Sequence, residues 1–140
     1  MSKPVVLLPL AEAAGHTGQV VEGLRRLAEA LAAFEANGRG DMLAEAHRLQ
    51  GELLLRQAAP DAVQAEATFH QALAIARRQQ AKSWELRAAM SLTRLWQPRG
   101  KQAEARELLA PIYGWFTEGF DTADLQEAKA LLAELEELAG

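Results

Sequence analysis

The chain has 140 residues, 49% hydrophobic and 24% charged, with a net charge of −4. That length fits one domain with its own core, and the mildly acidic balance argues against general nucleic-acid binding. There is no cysteine, which excludes disulfides, thiol catalysis and cysteine-ligated zinc and suits a cytoplasmic location.

Ala and Leu are abundant and only 6% of the residues are aromatic, so helix is favoured throughout. The first predicted helix runs from about Pro4 to Ala14. Its apolar stretch, Pro4 to Leu10, is too short to span a bilayer and lacks a charged leader and cleavage pattern, so neither membrane span nor signal peptide is expected. Pro9 predicts a kink or a late start, and Gly15 and Gly18 mark a turn. The second helix spans Gln19 to about Ala36, with Leu24, Leu27, Ala28 and Leu31 at helical spacing, and stops at Asn37-Gly38-Arg39-Gly40.

Asp41 is the expected N-cap of the third helix, whose stripe is Ala46, Leu49, Leu53 and Leu54 and which ends near Gln57. Asp61, with Gln64 three residues on, predicts a capping box for the fourth helix, which buries Ala65, Phe69, Ala72, Leu73 and Ala76. Ser83 is expected to cap the fifth helix, which runs to about Trp96 before Pro98 and Gly100. The sixth runs from Lys101 to about Phe116, with Pro111 predicting a bend or break. Asp121 or Thr122 starts the seventh, built on Leu125, Ala128, Leu132 and Leu135. The class is all-α.

Helices two apart share a pattern. Ala65, Phe69 and Ala72 recur as Ala105, Leu109 and Ile112 at a distance of 40 residues, and as Gly23, Leu27 and Ala30 at 42. Their partner helices carry Ala11, Gly51 and Thr93 where a close crossing needs a small residue. Gly18 and Gly100 both fall five residues before the small position of the following helix.

These residues resemble the tetratricopeptide (TPR) repeat. Its pattern is matched by His47, Gly51, Leu54, Ala65, Phe69 and Ala72, by Ala89, Thr93, Trp96, Gly100, Ala105, Leu109 and Ile112, and by Leu7, Ala11, Ala14, Gly18, Gly23, Leu27 and Ala30. The period of 40 to 42 exceeds the 34 of that family, and the usual closing proline is missing. A HEAT-like or armadillo-like array is the alternative fold. The resemblance implies a single domain over residues 1–140: a right-handed superhelix of about three antiparallel pairs (4–37, 41–79, 83–117) plus a capping helix at 121–138. The run LAPIYGWFTEGFDTADLQEAKALLAEL is similar to the C-terminal end of large bacterial signalling proteins that join a cyclase-like or NTPase domain to a TPR tail.

Catalytic chemistry finds no foothold. No phosphate-binding glycine loop or nucleophile motif occurs, and His16, His47 and His70 read as packed or surface residues rather than ligands or bases. Glu66 and His70 share a helix face, but two ligands do not make a metal site. Trp84, Trp96 and Trp115 read as core residues. The chain is therefore expected to be no enzyme and to need no cofactor or metal.

By the TPR pattern, the groove-facing positions are Glu45, Arg48, Glu52, Leu55 and Arg56 in the second pair and Arg87, Met90 and Arg94 in the third. The resemblance thus implies a concave face that takes a protein or peptide partner. Four convergent arginines point to an acidic segment, with Leu55 and Met90 giving apolar contact. The competing expectation is that the arginines pair with Glu45, Glu52 and Glu85 at helical spacing. Charge is also unevenly spread: residues 77–106 hold eight basic and two acidic residues, and 118–137 hold seven acidic and one basic. The faces are then simply solvated, or the basic stretch meets an acidic partner or a neighbouring chain's acidic tail. The alternative function is self-association through an end helix.

Overall fold

The computed structural model describes residues 19–38 and 40–139. The expected first helix, with Leu7, Pro9, Ala11 and Ala14, and the turn holding Gly15, His16 and Gly18 lie outside them, as does Arg39. The described residues form six α-helices: α1 Val20–Ala36, α2 Leu43–Leu55, α3 Ala62–Arg78, α4 Lys82–Trp96, α5 Gln102–Trp115 and α6 Ala123–Ala139. No strand occurs among them, so the expected all-α class holds.

The helices stop where the backbone is forced to turn. Gly38 (φ 68°) follows α1, and Gly100 (φ 75°) closes the 3-10 turn Gln97–Arg99 after α4, a region where glycine avoids the Cβ clash of other residues. Asp61 caps α3 as expected, accepting the Gln64 N–H at 3.0 Å. Thr122 Oγ1 accepts the Leu125 N–H at 3.5 Å at the start of α6.

Other starts differ from expectation. Asp41 lies in a 3-10 turn, Gly40–Met42, and Met42 stands at the N-cap of α2. The Asp41 carbonyl accepts the Trp84 indole N–H at 3.1 Å, so this turn is tied to α4. Ala81, not Ser83, stands at the N-cap of α4, and Ser83 falls inside its first turn. Packing compensates for a weak cap, because most helical stability in a folded chain comes from the buried face. α5 continues through Pro111 to Trp115 instead of breaking there.

Each helix packs on the next in sequence, and α4 also packs on both α2 and α6. No comparable contact joins α1 to α3 or α3 to α5. The even-numbered helices therefore stand side by side. The core has a larger part where α3, α4, α5 and α6 meet, around Phe69, Leu86, Leu92 and Leu109, and a second between α1 and α2, around Leu27, Phe34 and Leu53. In α6, Leu125, Ala128 and Leu135 are buried as expected, with Leu131 buried more deeply than Leu132. Ala28 of α1 is exposed; Ala30 and Phe34 take the buried positions.

Gly51 explains how α2 and α3 come together. A Cβ built there would lie 2.4 Å from Phe69 Cε1 and 2.7 Å from Cδ1. The ring of α3 thus lies against the bare backbone of α2. Thr93, also singled out as a crossing residue, is fully buried in α4, and its hydroxyl has no hydrogen-bond partner.

Candidate functional site

The side-by-side packing of α2, α4 and α6 brings one polar face of each helix together. Glu45, Arg48 and Glu52 project from α2, Arg87, Ser91 and Arg94 from α4, and Asp124 and Glu127 from α6. Arg48 chelates Glu45 in a fork, Nε to Oε1 at 2.8 Å and Nη2 to Oε2 at 2.9 Å. Arg87 Nη1 donates to the same carboxylate at 2.7 Å, and its Nε donates to Asp124 Oδ2 at 2.9 Å. Ser91 donates its hydroxyl to Glu52 Oε2 at 2.8 Å and lies 3.4 Å from Arg48 Nη1. Arg94 pairs with Glu127, and Gln97 donates to Glu134 Oε1 at 3.1 Å. A continuous polar ladder thus runs across three helices.

Two clefts open along this ladder. The larger, about 400 Å³, is lined by Arg48, Glu52, Arg56, Arg94 and Glu127 with Leu49 and Leu53 beneath. The smaller, about 300 Å³, is lined by Arg48, Arg87, Met90, Arg94, Asp124 and Glu127. Both clefts are dominated by charged groups.

Burial disfavours the charge on Arg48, yet its hydrogen bonds to Glu45 and the nearby charges of Glu45 and Glu52 outweigh that cost and hold its pKa above the ordinary value. Arg87 shifts upward in the same way, burial being outweighed by Asp124 and Glu45. Both guanidinia are fixed positive charges that already have acceptors.

The eight residues expected to face a groove divide accordingly. Arg48, Glu52, Arg56 and Arg94 line the larger cleft, and Arg48, Arg87, Met90 and Arg94 the smaller. Glu45 is buried behind them as the shared acceptor of Arg48 and Arg87. Met90 offers little apolar contact, being 2% exposed and part of the core. Leu55 packs against that core and lines neither cleft. Glu85 is absent from the face: it is buried where α3 and α4 meet, accepting Arg77 Nε at 3.0 Å with Lys82 Nζ at 3.3 Å.

Ser91, Asp124 and Glu127 were not singled out by sequence. A signal was present. Arg87 and Arg94 are seven residues apart, as are Glu127 and Glu134, so each pair shares one helix face. The basic stretch does meet an acidic helix, but that helix is α6 of the same chain.

Elsewhere, Trp115 is not a core residue; it is 57% exposed and meets the Phe116 ring edge-on. Trp84 and Trp96 are half-buried. His47 is part-buried beside Gln50, and exposed His70 lies 3.7 Å from Glu66 and stacks at a tilt on Trp96. No cluster of three or more metal-ligating side chains occurs among the described residues, and no described helix is long and apolar enough to cross a membrane. A scan against protein-family models and searches of curated proteins and of solved structures each returned no match.

Proposed function

We propose that the chain is a TPR-like helical-repeat scaffold with no catalytic role, and that an acidic protein segment docks on its α2–α4–α6 face. The observation that carries this reading is the convergence of Arg48, Arg56 and Arg94 on one cleft of about 400 Å³ built from three helices. The alternating contacts of α2, α4 and α6 and the seating of Phe69 against Gly51 support a stacked-hairpin array, since each hairpin needs its neighbour to bury its apolar side.

Electrostatics then selects the ligand. Arg56 makes no ion pair with any described residue, and Arg94 meets its partner at the surface. Arginine forks favour carboxylates over neutral acceptors. Arg48 is the wrong residue to probe by substitution, because it is largely buried and holds Glu45.

A fluorescein-labelled hexaglutamate peptide provides the test, with binding followed by anisotropy at low salt. The double variant Arg56→Gln/Arg94→Gln is expected to bind about threefold more weakly, corresponding to about 0.7 kcal/mol from Arg56, since Arg94 already has an internal partner. Unchanged affinity, or equal binding of a hexalysine peptide, would remove the acidic-groove reading.

A further inference from the structure

The pairs along the α2–α4–α6 face differ in how firmly they are held. Glu45 is buried and gripped by Arg48 and Arg87 together. Arg94 and Glu127, by contrast, meet with side chains 41% and 58% exposed, and both residues line both clefts. Arg56 stands exposed at the larger cleft.

Building on the groove reading above, we propose that Glu127 is a displaceable internal stand-in for the partner's carboxylate. In the free protein it covers Arg94; an arriving acidic segment takes Arg94 by turning the Glu127 side chain out into water. Little opposes that exchange. The Glu127 carboxylate is already largely hydrated, so its release uncovers no buried charge. Leu125, Ala128 and Leu131 keep α6 anchored in the core, so only a side chain has to move.

The exchange also sets selectivity. A carboxylate that takes Arg94 replaces one pair by an equivalent one and gains almost nothing. A segment with two can hold Arg94 and Arg56 together, and the second contact displaces no internal acid. Glu127 therefore lowers the gain from any acid that takes Arg94 and leaves Arg56 as the contact made at no such cost, a discrimination created by a competing group rather than by tighter contacts. Asp124 does not play this part, because its partner Arg87 is also committed to buried Glu45.

The labelled hexaglutamate peptide tests this with three full-length variants. Glu127→Gln is expected to bind it about two- to fivefold more tightly than the wild type, the worth of one exposed pair. Arg94→Gln should erase that gain when added to Glu127→Gln. Glu136→Gln removes the same charge from an exposed site nine residues along α6, on the opposite side of the helix, and should leave affinity unchanged. If wild type and Glu127→Gln bind equally well, the displaceable acid is overturned while the groove stands. If Glu136→Gln tightens binding as much as Glu127→Gln, net charge is responsible and the proposal again falls. No binding by either protein at millimolar peptide overturns both the groove and its internal competitor.

Discussion

Glu45 concentrates the electrostatics of the molecule in one side chain. It is 6% exposed, yet it accepts from the Arg48 fork and from Arg87 of another helix. A buried carboxylate is tolerated only when its acceptor capacity is met, and here two guanidinia meet it. Glu45→Gln keeps the shape but removes the charge and turns N–H groups toward arginines. We expect a loss of about 3 kcal/mol in unfolding free energy by urea titration, since breaking a buried pair strands the partner charge. A loss below about 1 kcal/mol would mean that Arg48 and Arg87 find equivalent acceptors in Glu52 and Asp124.

His47 gives the same helix a pH response. Burial lowers its pKa below 6.5, against the opposing effects of the Gln50 hydrogen bond and the Glu35 charge. As pH falls through 6.5, the unfolded chain therefore takes up the proton before the folded one does. The fold carries no such penalty above that value, and the penalty grows below it until the folded imidazole protonates as well. The thermal midpoint should drop between about pH 7 and pH 5.5, and it should drop less in His47→Gln. Parallel curves for the two proteins in scanning calorimetry would exclude His47 as a source of the slope.

At the scale of elements, the α2–α3 crossing depends on Gly51. An added methyl would overlap the Phe69 ring, which is fully buried and cannot swing aside without opening the core. Gly51→Ala improves helix propensity by roughly 0.5–1 kcal/mol, but the overpacking it forces costs about 1–3 kcal/mol. The net expectation is a lower denaturation midpoint, and a stabilised variant would show that α2 and α3 are further apart than this crossing requires. Gly51 and Phe69 were both legible as repeat positions, because small and large residues at a fixed spacing are a local record of a close crossing. The caps of α2 and α4 were less legible. Asp41 and Ser83 have the right chemistry for N-caps, but the 3-10 turn Gly40–Met42 and the anchoring of Asp41 to Trp84 set where those helices begin.

Across the whole molecule, pairing of charge follows helix stacking rather than sequence proximity. Arg87 reaches Glu45 and Asp124, 42 and 37 residues away, and bypasses Glu85 two residues before it. Two residues along a helix turn the side chain to a different face, and Glu85 belongs to the α3–α4 seam. Arg48 keeps its helical-spacing partner Glu45, whereas Arg94 crosses to α6. The expected arginine face therefore exists as a place, but much of its charge is already spoken for. The outward face of α6 is polar, with Gln126, Lys129, Glu136 and Glu137 exposed.

The sequence by itself determined the helical class, the six described helices to within a few residues and most of the buried positions, because periodicity, glycine stops and proline act within a few residues of chain. It also carried the uneven charge, without its destination. Only the tertiary structure decided that α6 supplies the acids for the arginines of α4, that Met90 is core and that Trp115 is exposed. Those outcomes depend on which helix faces meet across tens of residues, and such meetings are fixed by packing of the whole chain rather than by local preference.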